Sequence, residues 1–227
     1  MPKKHIVVLT GAGISQESGI NTFRDSNGLW ENHDIMEVAS PIGFAQNPAL
    51  VLQFYNLRRA QLKEVQPNAA HNFLAELEAN YDVSIITQNV DNLHERAGSS
   101  NIIHLHGMLT QMRSVKDENR IFEIDGDINL GDLADDGGQL RPHIVWFGEA
   151  VPEMNRAVEI TRTADIFLII GTSLQVYPAA SLIDYVPYGK PIYIIDPNEV
   201  TYNSSSHIHY IAKKAVAGCE ELRKILL

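Results

Sequence analysis

The sequence predicts an α/β protein whose mostly parallel sheet is covered by helices on both faces. Three observations carry that expectation. Short runs rich in β-branched residues, Ile6 to Leu9, Val83 to Thr87 and Ile166 to Ile170, have the length of buried strands. Segments with helical spacing separate them, and strands that alternate with helices pair in parallel. The first run ends on Thr10-Gly11-Ala12-Gly13, where glycine permits a tight turn into a helix.

Taken in order, the first strand is followed by a polar, Gly-containing loop from Ser18 to Trp30. Pro48 to Val65 has helical length, stops before Pro67, and spaces Leu50, Phe54, Leu57 and Leu62 near a helical period. A second helix, Asn68 to Asn80, opens on a polar cap and sets Phe73, Leu74 and Leu77 on one side. The strand Val83 to Thr87 then delivers Gln88, Asn89 and Asp91 where open α/β sheets place ligand-binding groups. Ile102 to Leu105 is a further strand, ending at His106-Gly107. Residues 114–140 differ in composition, with acids far outnumbering the bases Lys116 and Arg120, and read as an insertion. Beyond them the pattern gives a strand at His143 to Phe147, a helix at Pro152 to Thr163, a strand at Ile166 to Ile170 and a helix at Ala179 to Tyr188. A strand at Pro191 to Ile195 and a final helix from about Val216 to Leu226 complete the chain.

At 227 residues the chain suits one domain, or one with a small insertion, and 44% hydrophobic with 20% charged residues is ordinary globular composition. Lys and Arg number 18 against 28 Asp and Glu, a net charge of -10 that argues against a non-specific grip on nucleic acid. The apolar stretch in MPKKHIVVLT is too short for a signal peptide or a membrane span, so a cytoplasmic protein without membrane contact is expected. The single cysteine, Cys219, excludes an internal disulfide and any zinc site built from several thiolates of one chain.

Backbone N–H groups at the Gly11 to Gly13 turn would attract an anion, with pyrophosphate the leading candidate and an empty βα turn the alternative. Gln16 stands where the dehydrogenase fingerprint needs its third glycine, which argues against hydride transfer. Gln88, Asn89 and Asp91 suit ribose hydroxyls and a carboxamide, or else Asn89 or Asp91 caps the helix before Leu93. His104 and His106 share a strand face unless the strand breaks between them, and read either as a metal pair lacking a third ligand or as structural histidines. Tyr55 and Arg58, three apart on a helix, would together take a carboxylate; the alternative is that Arg58 and Arg59 form a solvated face. His143 to Glu149 reads as core sheet broken at Gly148, and Gly171-Thr172-Ser173 as a turn or an N-cap. Asp125, Asp127 and Asn129 resemble a calcium loop, but Leu130 occupies the position that needs glycine, so the run is read as solvated.

Five blocks in order, GAGISQESGINTFR, TQNVDNLHERAG, HLHG, HIVWFGE and GTSLQVYPAA, resemble the sirtuins, NAD-dependent protein-lysine deacylases, over residues 6–180. The resemblance implies one catalytic domain over 1–227, with a Rossmann-type large part and small-subdomain insertions around 30–66 and 108–143. It implies NAD consumed as co-substrate, with His106 as the base toward a ribose hydroxyl and Asn89 and Asp91 beside it. It places Gly11, Ala12, Gly13, Glu17, Thr22, Phe23, Arg24 and Trp30 on NAD in the first block. Gln88, Asn89 and Asp91 fall at the nicotinamide end. Gly171, Thr172 and Ser173 form a second contact turn, and Asp196, Asn198 and Ala212 lie toward the adenosine, with Ile194 where an asparagine is expected. Val145, Phe147 and Gly148 would offer a backbone edge to an acyl-lysine peptide. FYNLRR, with Tyr55 and Arg58, resembles the signature of members that remove succinyl or malonyl groups. Sirtuins usually hold a structural zinc on four cysteines within the region of residues 114–140, which here contain none, so no zinc is expected. The expected partners are acyl-lysine proteins, met by a monomer. A protein ADP-ribosyltransferase or NAD hydrolase, or a silent NAD-binding module, would use the same pocket.

Overall fold

The computed structural model describes residues 2–20, 29–30, 33–200 and 205–227. Strand β1 (His5–Thr10), buried from Ile6 onward, runs into the short helix α1 (Gly13–Gln16). The strand pair β2 (Leu29–Trp30) and β3 (His33–Asp34) leads to α2 (Ile35–Val38), capped by the Asp34 carboxylate, which accepts from Met36 N–H at 2.7 Å. Helices α3 (Pro41–Gln46) and α4 (Pro48–Glu64) open alike: Ser40 and Asn47 accept from the N–H groups of Gly43 and Leu50. Proline follows each cap, where its missing N–H removes no helical bond. In α5 (Ala69–Leu77) the cap is reciprocal, Asn68 Oδ1 accepting from Ala70 N–H and His71 Nδ1 from Asn68 N–H. After β4 (Asp82–Thr87), α6 (Leu93–Ala97) and β5 (Ile102–His104) come β6 (Gly107–Ser114), β7 (Ile121–Glu123) and β8 (Leu140–Ile144). The chain ends through α7 (Met154–Thr161), β9 (Ile166–Ile170), a 3-10 helix (Ala179–Tyr185), β10 (Ile192–Ile195), β11 (Ile208–Ile211) and α8 (Ala215–Leu226).

Six strands form the main sheet in the order β11-β10-β9-β1-β4-β5, all neighbours parallel. One face of the central strands packs Ile6, Val8, Ile85 and Leu168 against Phe73, Leu74, Leu77 and Leu222. The other packs Val7, Leu9, Phe167 and Ile169 against Ala157 and Leu182. Burial on both sides is why these strands read as continuous apolar runs and not as alternation. A third cluster, including Val51, Tyr55, Leu62, Leu109, Ile144 and Trp146, joins α4 to the antiparallel sheet β7-β6-β8.

Three expectations change. The strand expected at His143 to Phe147 ends at Ile144. Gly107, at φ +77°, crosses so close to His143 that an added Cβ would lie 1.9 Å from its carbonyl oxygen. Past that crossing Val145 N–H turns to His106 O (3.0 Å) and Phe147 N–H to Ala39 O (2.9 Å), which takes residues 145–147 out of the sheet. The helix expected over Ala179 to Tyr188 is a 3-10 helix that stops before Pro187. Strand β11, only four residues long at the sheet edge, was not foreseen.

Residues 114–140 are held by polar contacts within the segment and by others from α4. Ser114 Oγ and Gly138 N–H donate to Asp136 Oδ1 at 2.9 and 2.8 Å, and Lys116 Nζ donates to Asp136 O at 3.0 Å. From α4, Asn56 brackets Ile128, donating to its carbonyl and accepting from its N–H, each at 3.0 Å. Among the described residues no group of three or more His, Cys, Asp or Glu side chains is placed to hold a metal, and no helix is long and apolar enough to cross a membrane.

Candidate active site

The C-terminal ends of β1, β4 and β9 converge on a cleft of about 570 Å³, where parallel sheets place ligands. Two turns form its floor. Gly11 N–H donates to Ile170 O at 3.1 Å and Gly13 N–H to Gly171 O at 2.9 Å. Gly171 has φ +66°, and a Cβ on it would lie 2.4 Å from Ile14 N. Alanine there is expected to destabilise the fold by about 1–3 kcal/mol from the backbone conformation alone. A thermal melt of Gly171→Ala should therefore fall by several degrees; an unchanged melting temperature contradicts this packing.

The strand-end residues form one buried network. Asn89 Nδ2 donates to Gly11 O and to Ser15 Oγ, both at 3.2 Å, and Ser15 Oγ donates to Asp91 Oδ2 at 2.9 Å. Asp91 Oδ1 also accepts from Leu93 N–H at 3.1 Å, so the capping reading holds alongside the cleft position. Burial raises the Asp91 pKa, against the stabilising bonds from Leu93 and Ser15. Gln88 Nε2 donates to Thr172 Oγ1 at 3.1 Å, which ties the two turns together.

The two histidines diverge because the strand breaks after His104. His104 bonds Asn89 O at 3.1 Å and Glu95 Oε1 at 2.7 Å; burial opposes its charge, but the bond and attraction to Glu95 outweigh it and its pKa is raised. His106 instead lines the cleft, with Nδ1 3.0 Å from Gln88 O. A carbonyl only accepts, so Nδ1 carries the hydrogen and Nε2 is the basic nitrogen. Burial lowers the His106 pKa, partly offset by the bond to Gln88.

Tyr55 is fully buried and Arg58 only 8% exposed, and both line the cleft. The alternative of a solvated Arg58/Arg59 face is thus corrected. Arg59 points the other way, its Nε donating to Leu109 O at 2.6 Å and its Nη1 to Gly126 O at 3.2 Å, clamping the small sheet. Burial raises the Tyr55 pKa, so the phenol stays neutral.

Residues 11–178 match the family model described as the Sir2 family. The chain belongs to the Sir2 family. A protein of Bacteroides thetaiotaomicron named NAD-dependent protein deacylase is 56% identical over 230 residues, covering 99% of this chain and 98% of the relative. One of Helicobacter pylori with the same name is 57% identical over 224 residues, covering 99% and 98%. A solved Sir2 homologue in complex with NAD is 40% identical with a TM-score of 0.86, covering 99% of this chain and 91% of its own. A mutant Sir2 homologue in complex with ADP-ribose is 40% identical with a TM-score of 0.89, covering 99% and 92%. The Sir2 membership and the Rossmann-type parallel sheet expected from the motif blocks stand on these findings.

Within this Sir2 chain the cleft gathers Gly11, Ala12 and Gly13 with Gly171, Thr172 and Ser173 on the floor. Gln88, Asn89, Asp91 and His106 line it as well, as do Asp196 and Asn198. Val145, Phe147 and Gly148 line it beside Tyr55 and Arg58. Two expected contacts are not brought in. Glu17 accepts from Val216 N–H at 2.9 Å at the start of α8, and Ala212 lies outside the lining, where Lys214 and Ala215 stand instead. Thr22, Phe23, Arg24 and the Trp30 side chain lie outside the described residues. Three site residues were missed: Ser15, which joins Asn89 to Asp91; His71, whose Nε2 is 3.5 Å from Ser15 Oγ; and Trp146, whose Nε1 donates to the Tyr55 hydroxyl at 3.0 Å. Only Trp146 carried a sequence signal, since a buried indole N–H needs a partner.

Proposed function

We propose that this Sir2 protein removes acyl groups from protein lysines with NAD as co-substrate, with a preference for acidic groups such as succinyl and malonyl. The acyl group passes to ADP-ribose and nicotinamide is released. The observation that supports it most is the tautomer of His106, whose Nδ1 donates to Gln88 O and leaves Nε2 as a base in the cleft.

The lining fits a dinucleotide. An added Cβ on Gly11 would lie 2.7 Å from Thr172, and the N–H groups of Gly11 and Gly13 are spent on Ile170 O and Gly171 O, so these glycines let the two turns pack together as the floor on which a dinucleotide would lie. NAD supplies an electrophilic ribose carbon and a leaving group when bound. Asn89 and Asp91, held by Ser15, would position the nicotinamide ribose and carboxamide, and His106 Nε2 would take the proton of a ribose hydroxyl. Asp196 spends Oδ1 on Asn198 N–H at 2.9 Å, which leaves Oδ2 for an adenosine ribose hydroxyl. Residues 145–148 would meet the peptide backbone through carbonyl oxygens, the N–H groups of 145, 146 and 147 being spent on His106 O, Glu149 and Ala39 O, and Arg58 with Tyr55 would take the distal carboxylate.

Incubation with NAD and a succinyl-lysine peptide tests this reading. The peptide should lose one succinyl group only when NAD is present, and succinyl should appear on ADP-ribose. ADP-ribose on protein, with the peptide intact, contradicts it and supports ADP-ribosyl transfer. The pH dependence follows from burial. Protonation of His106 removes the base, and its pKa is lowered, so kcat/KM should hold at neutral pH and fall only below the ordinary histidine value of 6.5. A profile whose acid limb begins above pH 7 contradicts His106 as a partly buried neutral base.

A further inference from the structure

We propose that His104 is a positioning residue for the nicotinamide end of the cleft: as an imidazolium, donating from both ring nitrogens, it fixes the turn that carries Asn89 and Asp91. The inference rests on the NAD-dependent reading given above. Nδ1 lies 3.1 Å from Asn89 O, and Nε2 lies 2.7 Å from Glu95 Oε1. A carbonyl and a carboxylate only accept, so each nitrogen needs a hydrogen, and an imidazole that holds both is positively charged. The side chain is only 10% exposed, so water is a poor substitute for either partner.

The turn after β4 is held by donors from the chain that follows β5. His106 takes Gln88 O at 3.0 Å, His104 takes Asn89 O, and Leu109 N–H takes Val90 O at 2.8 Å. His104 supplies the charge-assisted bond, the stronger kind. A shift of the Asn89 backbone would displace the amide that reaches Gly11 O and Ser15, and Ser15 in turn holds Asp91.

The titratable groups that face His104 are Glu95 and Asp91, which attract its charge, and His94, which burial keeps neutral. Burial opposes the charge on His104 as well, but the bond and attraction to Glu95 outweigh it and the pKa is raised. The charge is therefore present below that raised value and is lost as pH rises through it. The remaining hydrogen then stays with the carboxylate, the stronger acceptor, and a lone pair of Nδ1 faces Asn89 O.

Two measurements on the full chain test this. Nitrogen NMR of the imidazole rings should show His104 losing its second hydrogen with a midpoint above the ordinary histidine value of 6.5. Over the same range kcat/KM for acetyl- and succinyl-lysine peptides should fall about tenfold, the effect typical of one broken buried bond. Glu95→Gln removes the attracting charge and should carry the ring midpoint and the activity limb down together, by about one pH unit or more. His104→Gln does not titrate and should lack the limb, running about tenfold low throughout. A His104 midpoint below 6.5, or an activity limb that stays in place in Glu95→Gln, overturns the inference alone. If neither peptide is consumed at any pH, the deacylase reading fails and the positioning role with it.

Discussion

His106→Ala should lower deacylation by about 10²- to 10⁴-fold whatever the acyl group, the contribution typical of a positioned general base. The imidazole is half-buried at the cleft, with Nδ1 committed to Gln88 O. His104 does not substitute, because both of its nitrogens are engaged by Asn89 O and Glu95. Steady-state turnover of acetyl- and succinyl-lysine peptides checks this, with NAD binding measured alongside to show that the cleft is intact. A loss under tenfold removes His106 from the chemistry.

Arg58→Ala should divide the substrates. Removing a buried guanidinium from a carboxylate typically weakens binding by a hundredfold or more, so kcat/KM for the succinyl peptide should fall about 10²-fold. The acetyl peptide has no charge to lose and should fall far less. Arg59 is no control for this experiment, because its bonds to Leu109 O and Gly126 O hold the small sheet. Equal losses on the two peptides would make Arg58 a structural residue.

Much of this fold was legible because parallel strands are buried on both faces. Ile166 to Ile170 is one unbroken apolar run, and the strand has those bounds. The start of α4 at Pro48 was legible, but that of α3, which opens the same way on Ser40-Pro41, was not. Strand ends set by chain crossings were not. The end of β8 at Ile144 follows from the approach of Gly107 to His143, a contact between residues far apart in sequence. The site divides in the same way. Gln88, Asn89, Asp91 and His106 were readable as polar groups at strand ends, and the motif blocks gave them roles. Ser15 was not, because a hydroxyl just beyond a glycine turn has no pattern of its own. Its place between Asn89 and Asp91 depends on β1 lying beside β4. Glu17 was read toward the ligand, yet it meets the N–H of Val216 at the start of α8, where a helix N-terminus attracts a carboxylate.

The central claim is NAD-dependent removal of an acidic acyl group, and one measurement tests it most directly. Purified protein is incubated with NAD and matched acetyl- and succinyl-lysine peptides, and peptide mass and nicotinamide release are followed together. The account predicts one nicotinamide released for each succinyl lost, with the succinyl peptide consumed faster than the acetyl peptide. Nicotinamide released while both peptides keep their mass would contradict it.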